Sequence, residues 1–188
     1  AISTSGTLVI SDADTGEAHS VAQAATAGTY GSFSVDTNGA WTYTASSAHD
    51  ELTAGQVVSE TFTVASQDGT ASGTVSITIT GTNDAATVSS ESQALTEANT
   101  AAAISTSGTL VISDADTGEA HSVAQAASAG TYGTFAIDTN GAWTYTASSA
   151  HDELTAGQVV SETFTVASQD GSASGTVSIT ITGTNDLA

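Results

Sequence analysis

The sequence predicts an all-β protein built as two tandem Greek-key β-sandwich domains, and three observations carry that expectation. The 188 residues overlay themselves at a shift of 102, so that residues 1–86 match 103–188 at all but six positions. Apolar and hydroxyl side chains alternate along short runs, which is the two-residue period of a half-buried strand. Asn-Gly and Asp-Gly pairs stand between the runs, where hairpin turns need a backbone with positive φ.

The six differences between the copies are Thr26/Ser128, Ser32/Thr134, Ser34/Ala136, Val35/Ile137, Thr70/Ser172 and Ala85/Leu187. Repeats of about 100 residues are longer than the 20–50-residue units of solenoids, so each copy is a globular domain and the pair reads as part of a longer array. Residues 87–102, TVSSESQALTEANTAA, occur once. We place the first repeat at 1–86, lacking its leading strand, and the second at 87–188. The linker and first strand then fall in 82–102, because GTND closes a strand run and QALTEAN reads as an edge strand.

In chain order, each copy opens on GTLVIS (6–11), followed by the acidic loop DADTGE. GSFSV (31–35) and AWTYT (40–44) alternate cleanly around the turn DTNGA. The segment SSAHDELTAG (46–55) does not alternate, and Ser46 or Ser47 could cap a single helical turn there. ETFTVAS (60–66) and GTVSITIT (73–80) flank the turn QDGTASG. The alternation sends Phe33, Val35, Trp41, Tyr43, Phe62, Val64, Val75, Ile77 and Ile79 inward. Threonines then cover the outer faces, where β-branched side chains suit a pleated surface. Trp41 and Trp143, mid-strand behind an Asn-Gly turn, read as core anchors rather than a sugar platform.

The chain has 20 carboxylates and no Lys or Arg, for a formal net charge of -20. Its 39 % hydrophobic content is enough to fold and sets it apart from a disordered acidic tail. Such a charge repels nucleic acid and anionic lipid headgroups, so neither is an expected partner. No 18-residue apolar run encodes a membrane insertion, and no basic stretch leads into an apolar one in the manner of an export signal. The absence of Cys leaves the compartment open. The missing basic residues have a sharper consequence. Clustered carboxylates here must take their counter-charge from solution.

Catalysis is not expected. There is no G-x-S-x-G elbow, no Cys nucleophile, and no Lys or Arg to hold an oxyanion or phosphoryl group. The loop D-A-D-T-G-E fails as an EF-hand, since its glycine is fifth rather than sixth and Gln125 stands at position twelve. Glycine-rich calcium nonapeptides are absent as well. His19, His49, His121 and His151 read as surface residues, and without Cys the acids are not a zinc set.

The ordered motifs GTLVISDADTGE, GTYGSFSVDTNGAWTYT, LTAGQVVSETFTVASQDG and VSITITGTNDA resemble the VCBS-type repeats in the extender regions of large bacterial RTX adhesins. More broadly, they resemble the cadherin-like arrangement of acidic pair, A-x-D segment and N-D linker. The resemblance covers nearly the whole chain. It departs where a proline usually follows G-T-N-D-A, because Ala86 and Ala188 stand there instead.

That resemblance implies an immunoglobulin- or cadherin-like sandwich and Ca2+ at the junction of successive domains. Its ligands would be Asp50 and Glu51 of the first domain, Asn83 and Asp84 of the linker, and Asp114, Asp116 and Asp170 of the second, with Glu97 a further candidate. The implied function is a calcium-rigidified structural extender of a secreted, cell-surface bacterial adhesin, exported by a type I route. Its partners would be calcium and neighbouring repeats of the same polypeptide. The alternative is a glycan- or protein-binding recognition module, for which Tyr30 and Tyr132 are the available aromatics. An open sheet edge in the first domain would also permit weak self-association.

Overall fold

Every strong alternation in the sequence becomes a strand. The computed structural model describes residues 2–186 and divides the chain into two compact units, Ala1–Asn83 and Asp84–Ala188. Ala1, Leu187 and Ala188 lie outside the described residues, so of the two positions of the missing proline Ala86 is described and Ala188 is not.

Unit 1 contains β1 (Ser3–Thr7), β2 (Gln23–Ala27), β3 (Gly31–Val35), β4 (Ala40–Ala45), β5 (Val57–Ala65) and β6 (Ser72–Thr80). One sheet has the order β1-β4-β3-β2, and β5 pairs with β6 in the other. Cross-strand pairs Phe33–Tyr43 and Val35–Trp41 fix the register of β3 on β4. Their rings meet the second sheet through Phe62, whose ring stacks on Phe33 at a centroid distance of 4.8 Å. Val64, Val75, Ile77 and Ile79 complete this core, as the alternation requires.

Unit 2 contains β7 (Thr87–Val88), β8 (Glu91–Thr96), β9 (Ser105–Thr109), β10 (Ile112–Ser113), β11 (Gln125–Ala129), β12 (Gly133–Ile137), β13 (Ala142–Ala147), β14 (Val159–Ala167) and β15 (Ser174–Thr182). The sheet β11-β12-β13-β9 repeats that of unit 1, and β14-β15 gains β8 on its far edge. The β8–β15 pairing is parallel, and the pairings of the other strands are antiparallel. Short β7 lies against β10. Trp143 is only 1 % exposed and anchors the core together with Phe135, Tyr145 and Phe164.

Three local expectations need correction. The run 6–11 is not one strand: β1 ends at Thr7, the Leu8 N–H turns to the Gly39 carbonyl, and Val9 is 94 % exposed. No helical turn forms at 46–55. His49 takes the left-handed conformation at φ 59°, which breaks a helix, while the Leu52 N–H bonds the His49 carbonyl and Ser47 Oγ accepts the His49 N–H. The same residue overturns the surface reading of the histidines. His49 is 7 % exposed and His151 4 % exposed.

Candidate metal centre

The loop between β10 and β11 is tied into a knot of carboxylates. Asp114 Oδ1 accepts the Asp116 N–H at 2.9 Å, an Asx turn that folds the loop back on itself. Gly118, at φ 86°, then reverses the chain in a conformation that L side chains rarely adopt. The turn brings Glu119 to Asp114 and to Asp170, which enters from the turn between β14 and β15. Ligand oxygens of Asp114, Glu119 and Asp170 lie within 4.8 Å of one another. Asp116 sits beneath them and is 2 % exposed. Its Oδ2 accepts the Asp84 N–H at 2.9 Å, which fastens the first residue of unit 2 to the cluster.

No Lys or Arg balances this charge, since the chain has neither. Burial raises the Glu119 pKa first, and the charges of Asp116, Asp114 and Asp170 raise it further. Two carboxylate oxygens here, Asp114 Oδ2 and Asp116 Oδ1, are buried with no hydrogen-bond partner. A buried orphan oxygen on a carboxylate costs several kcal/mol unless a proton or cation meets it. The donors are all oxygen, neither sulfur nor imidazole joins them, and the set suits a hard cation such as calcium. The residues therefore fit the ion.

Unit 1 builds the same group from Asp12, Glu17 and Asp68, whose ligand oxygens also fall within 4.8 Å. The Asp12 carboxylate accepts the Asp14 N–H as its copy does. Asp14, however, is exposed where Asp116 is buried. In unit 2 the Asp84 N–H bonds Asp116 from the segment that leads into the domain.

A second acidic group forms at the opposite end of β15. Glu97 follows β8 and is buried; its Oε1 accepts the Thr184 hydroxyl at 2.9 Å, and its Oε2 has no partner. Burial, then Glu97 and Asp152, raises the Asp186 pKa. The nine residues of β15 separate the two groups by roughly 30 Å at 3.3–3.4 Å per residue.

Of the expected ligands, Asp84, Asp114 and Asp116 are joined by hydrogen bonds, and Asp170 shares their cluster through Asp114. Glu97 lies in the other group. In unit 1, Asp50 and Asn83 are exposed, and Glu51 accepts from His49 Nδ1 at 2.8 Å. Sequence reasoning missed Glu119 and its counterpart Glu17. Their signal lies in D-A-D-T-G-E itself, whose failure as an EF-hand does not exclude a different oxygen site.

The aromatic candidates for recognition are partly buried: Tyr30 and Tyr132 set their rings edge-on to His49 and His151. Among the described residues, no helix is long and apolar enough to cross a membrane.

The sequence profile described as the bacterial cadherin-like domain matches residues 1–81 and again 83–183. No curated protein matches the chain. Among solved structures, Drosophila N-cadherin EC1-4 is similar at 18 % identity and a TM-score of 0.42, over 89 % of this chain and 40 % of that one. A cis-dimer structure of protocadherin gammaB7 EC3-6 is similar at 15 % identity and a TM-score of 0.46, over 96 % and 45 % respectively. The chain thus spans less than half the length of either.

Proposed function

The chain belongs to the bacterial cadherin-like domain family, whose members are extracellular structural or adhesive modules, and we propose that its repeats are calcium-stiffened spacers. In this reading they form the extender of a secreted bacterial surface adhesin and hold a distal adhesive region away from the cell. The repeat unit is 87–188, preceded by a linker that begins at Thr82. The observation that carries the reading is the pair of buried, partnerless oxygens on Asp114 and Asp116 in a chain with no basic side chain but histidine.

Asp84, Asp114, Asp116, Glu119 and Asp170 hold the calcium ion of unit 2. The ion supplies the positive charge these carboxylates lack. Asp84 follows the last residue of β6, Thr80, by only four positions. Fixing it to the cluster leaves only Gly81, Thr82 and Asn83 between β6 and the site, with Gly81 itself bonded to Gln56 and Gly55, and a short linker is a stiff one. Asp50, Glu51, Asn83 and Glu97 are further candidates at the trailing end of each repeat. Near-identity of the two copies suits a spacer, whose surface loops need not diversify.

Isothermal calcium titration of the 188-residue chain, followed by small-angle scattering with calcium and with chelator, tests this. Binding at about 0.1–1 mM, the range of extracellular calcium modules, is expected together with a longer maximum dimension. Absence of calcium heat, with scattering curves that superimpose, overturns it.

A further inference from the structure

Both repeats leave the same lateral edge open, along β5 in unit 1 and β14 in unit 2. Each strand keeps an unbroken nine-residue register on one partner, β5 on β6 and β14 on β15. The other side of β14 is occupied only at its end. There the Thr165 carbonyl accepts Gln125 Nε2 at 2.8 Å, and the Ala167 carbonyl accepts the Val123 N–H at 2.9 Å. Backbone groups alternate in direction along a strand, so those of Val159, Ser161 and Thr163 point to that same side. Among the described residues no backbone group meets them there, and the same holds for Val57, Ser59 and Thr61 of β5.

Open edges template pairing with other chains, and natural sheets blunt them with lysine, proline or a bulge. This sequence has no Lys and no Pro. The edge of β11 is protected by its register shift between Gln125 and Ser128, where Ala127 sits at φ 59°. β14 carries no such device. Its one carboxylate, Glu162, is turned inward, where Oε1 accepts the Tyr145 hydroxyl at 2.6 Å and Oε2 accepts the Tyr132 N–H at 3.1 Å. The outward side chains of Val159, Ser161 and Thr163 are exposed and uncharged, and Val159 and its copy Val57 are each 59 % exposed. On a chain of net charge -20, this is a stretch where a second chain of like charge can settle.

We propose that this edge joins copies of the chain, Val159–Thr163 of one pairing antiparallel with Val159–Thr163 or Val57–Thr61 of another. Both segments read VVSET, and that sequence is complementary to itself. With Ser161 facing its own counterpart across a two-fold axis, Val159 of each copy meets Thr163 of the other. Such β-branched cross-strand pairs stabilise a ladder. Each facing pair exchanges two backbone hydrogen bonds, about six in all. Main-chain pairing therefore supplies the affinity, as in other strand additions. So short an interface is weak by itself, but an array repeats it once per domain, and linked weak contacts strengthen one another.

Sedimentation velocity of the 188-residue chain in chelator, over a micromolar-to-millimolar series, tests this. The average mass should rise with concentration, and molar salt should strengthen association about tenfold or more by screening the repulsion between two acidic chains. Ser59 and Ser161 are changed together, because each faces its own counterpart. Ser59→Asp with Ser161→Asp should weaken association about tenfold or more, since like charges then stand opposite each other, and Ser59→Lys with Ser161→Lys should do the same. Mixing the two variants should restore it, because Asp then faces Lys. These side chains point to solvent, and thermal melts check that both variants fold. A parent chain that stays monomeric in molar salt overturns the proposal, as does association that salt weakens. So do variants that associate like the parent, or a mixture no stronger than its components. No calcium is present, so the outcome is independent of the spacer reading.

Discussion

Asp116 places opposite demands on the protein with and without a cation. One of its oxygens ties down Asp84 and the other is buried with no partner. Asp116→Asn keeps the volume and an acceptor for the Asp84 N–H while removing a charge from a crowded site. In chelator its melting temperature should equal or exceed that of the parent chain. In calcium it should fall below, with affinity reduced about tenfold or more, since ligand charge tunes such sites. Calorimetric titration and thermal melts check both signs, and a variant that loses stability equally in the two buffers would show Asp116 to be merely a structural acceptor.

The buried histidines give a second test, again from single atoms. His49 Nδ1 lies 2.8 Å from Glu51 Oε1 and Nε2 lies 2.9 Å from the Tyr30 carbonyl, so both nitrogens face acceptors. A ring that donates from both nitrogens is an imidazolium. Glu51, then the Tyr30 carbonyl, hold the His49 pKa above its ordinary value. For His151 burial opposes the charge, but Glu153 and the Tyr132 carbonyl outweigh it. A raised pKa contributes stability that is complete below the unfolded value of about 6.5 and is lost as pH rises through the folded value. Ring-proton shifts followed by NMR from about pH 5.5 to about 8.5 should titrate late for His49 and His151. Glu51→Gln and Glu153→Gln should bring each back toward the ordinary range.

Among the elements, what the sequence made legible and what it hid divide along a physical line. Strands with large alternating side chains, such as Val57–Ala65 and Ser72–Thr80, were readable because burial of one face dictates the two-residue period. The strand Gln23–Ala27 was not, because QAATA has no large residue to show which face is inward. It is held instead by polar contacts: Gln23 Nε2 donates to the Thr63 carbonyl and Ser34 Oγ accepts the Ala25 N–H. The Thr63 partner lies 40 residues away, so no short window of sequence contains that signal. The acid site was half legible for a similar reason. Composition demanded a cation, and D-A-D marked the loop, but recruiting Glu119 depended on a left-handed Gly118 and recruiting Asp170 on sheet pairing.

The same weak strand carries its own prediction. Ala25 and Ala127 sit at the register shift with φ of 53° and 59°, a conformation that costs a residue bearing a Cβ about 1–2 kcal/mol. Glycine relieves that strain but adds disorder to the unfolded chain, so Ala25→Gly should stabilise unit 1 by about 0.5–1 kcal/mol. Chemical denaturation measures it, and a loss of stability would mean that the alanine methyl packs better than its backbone suggests.

For the molecule as a whole, two nearly equal sequences should not melt together. Unit 2 carries β7 and β8, whose Val88 and Leu95 pack on its core, while the described residues of unit 1 supply no counterpart. Burying such side chains is worth about 1–2 kcal/mol each when the burial is partial. For domains of about 100 residues each kcal/mol moves the midpoint by roughly 4–8 °C. Scanning calorimetry in chelator should therefore resolve two transitions, unit 1 below unit 2, and Leu95→Ala should lower only the upper one. Calcium then acts unequally. At tenfold excess over its dissociation constant one site adds about 1.4 kcal/mol, and the better-formed site is the one closed over by Asp84. The acids Asp12, Glu17 and Asp68 remain more open to water and gain less from the ion. Calcium should thus raise the upper transition more than the lower and widen the gap between them. A gap that closes on adding calcium would mean that the exposed cluster is the tighter site, and that cover by the linker segment does not govern affinity.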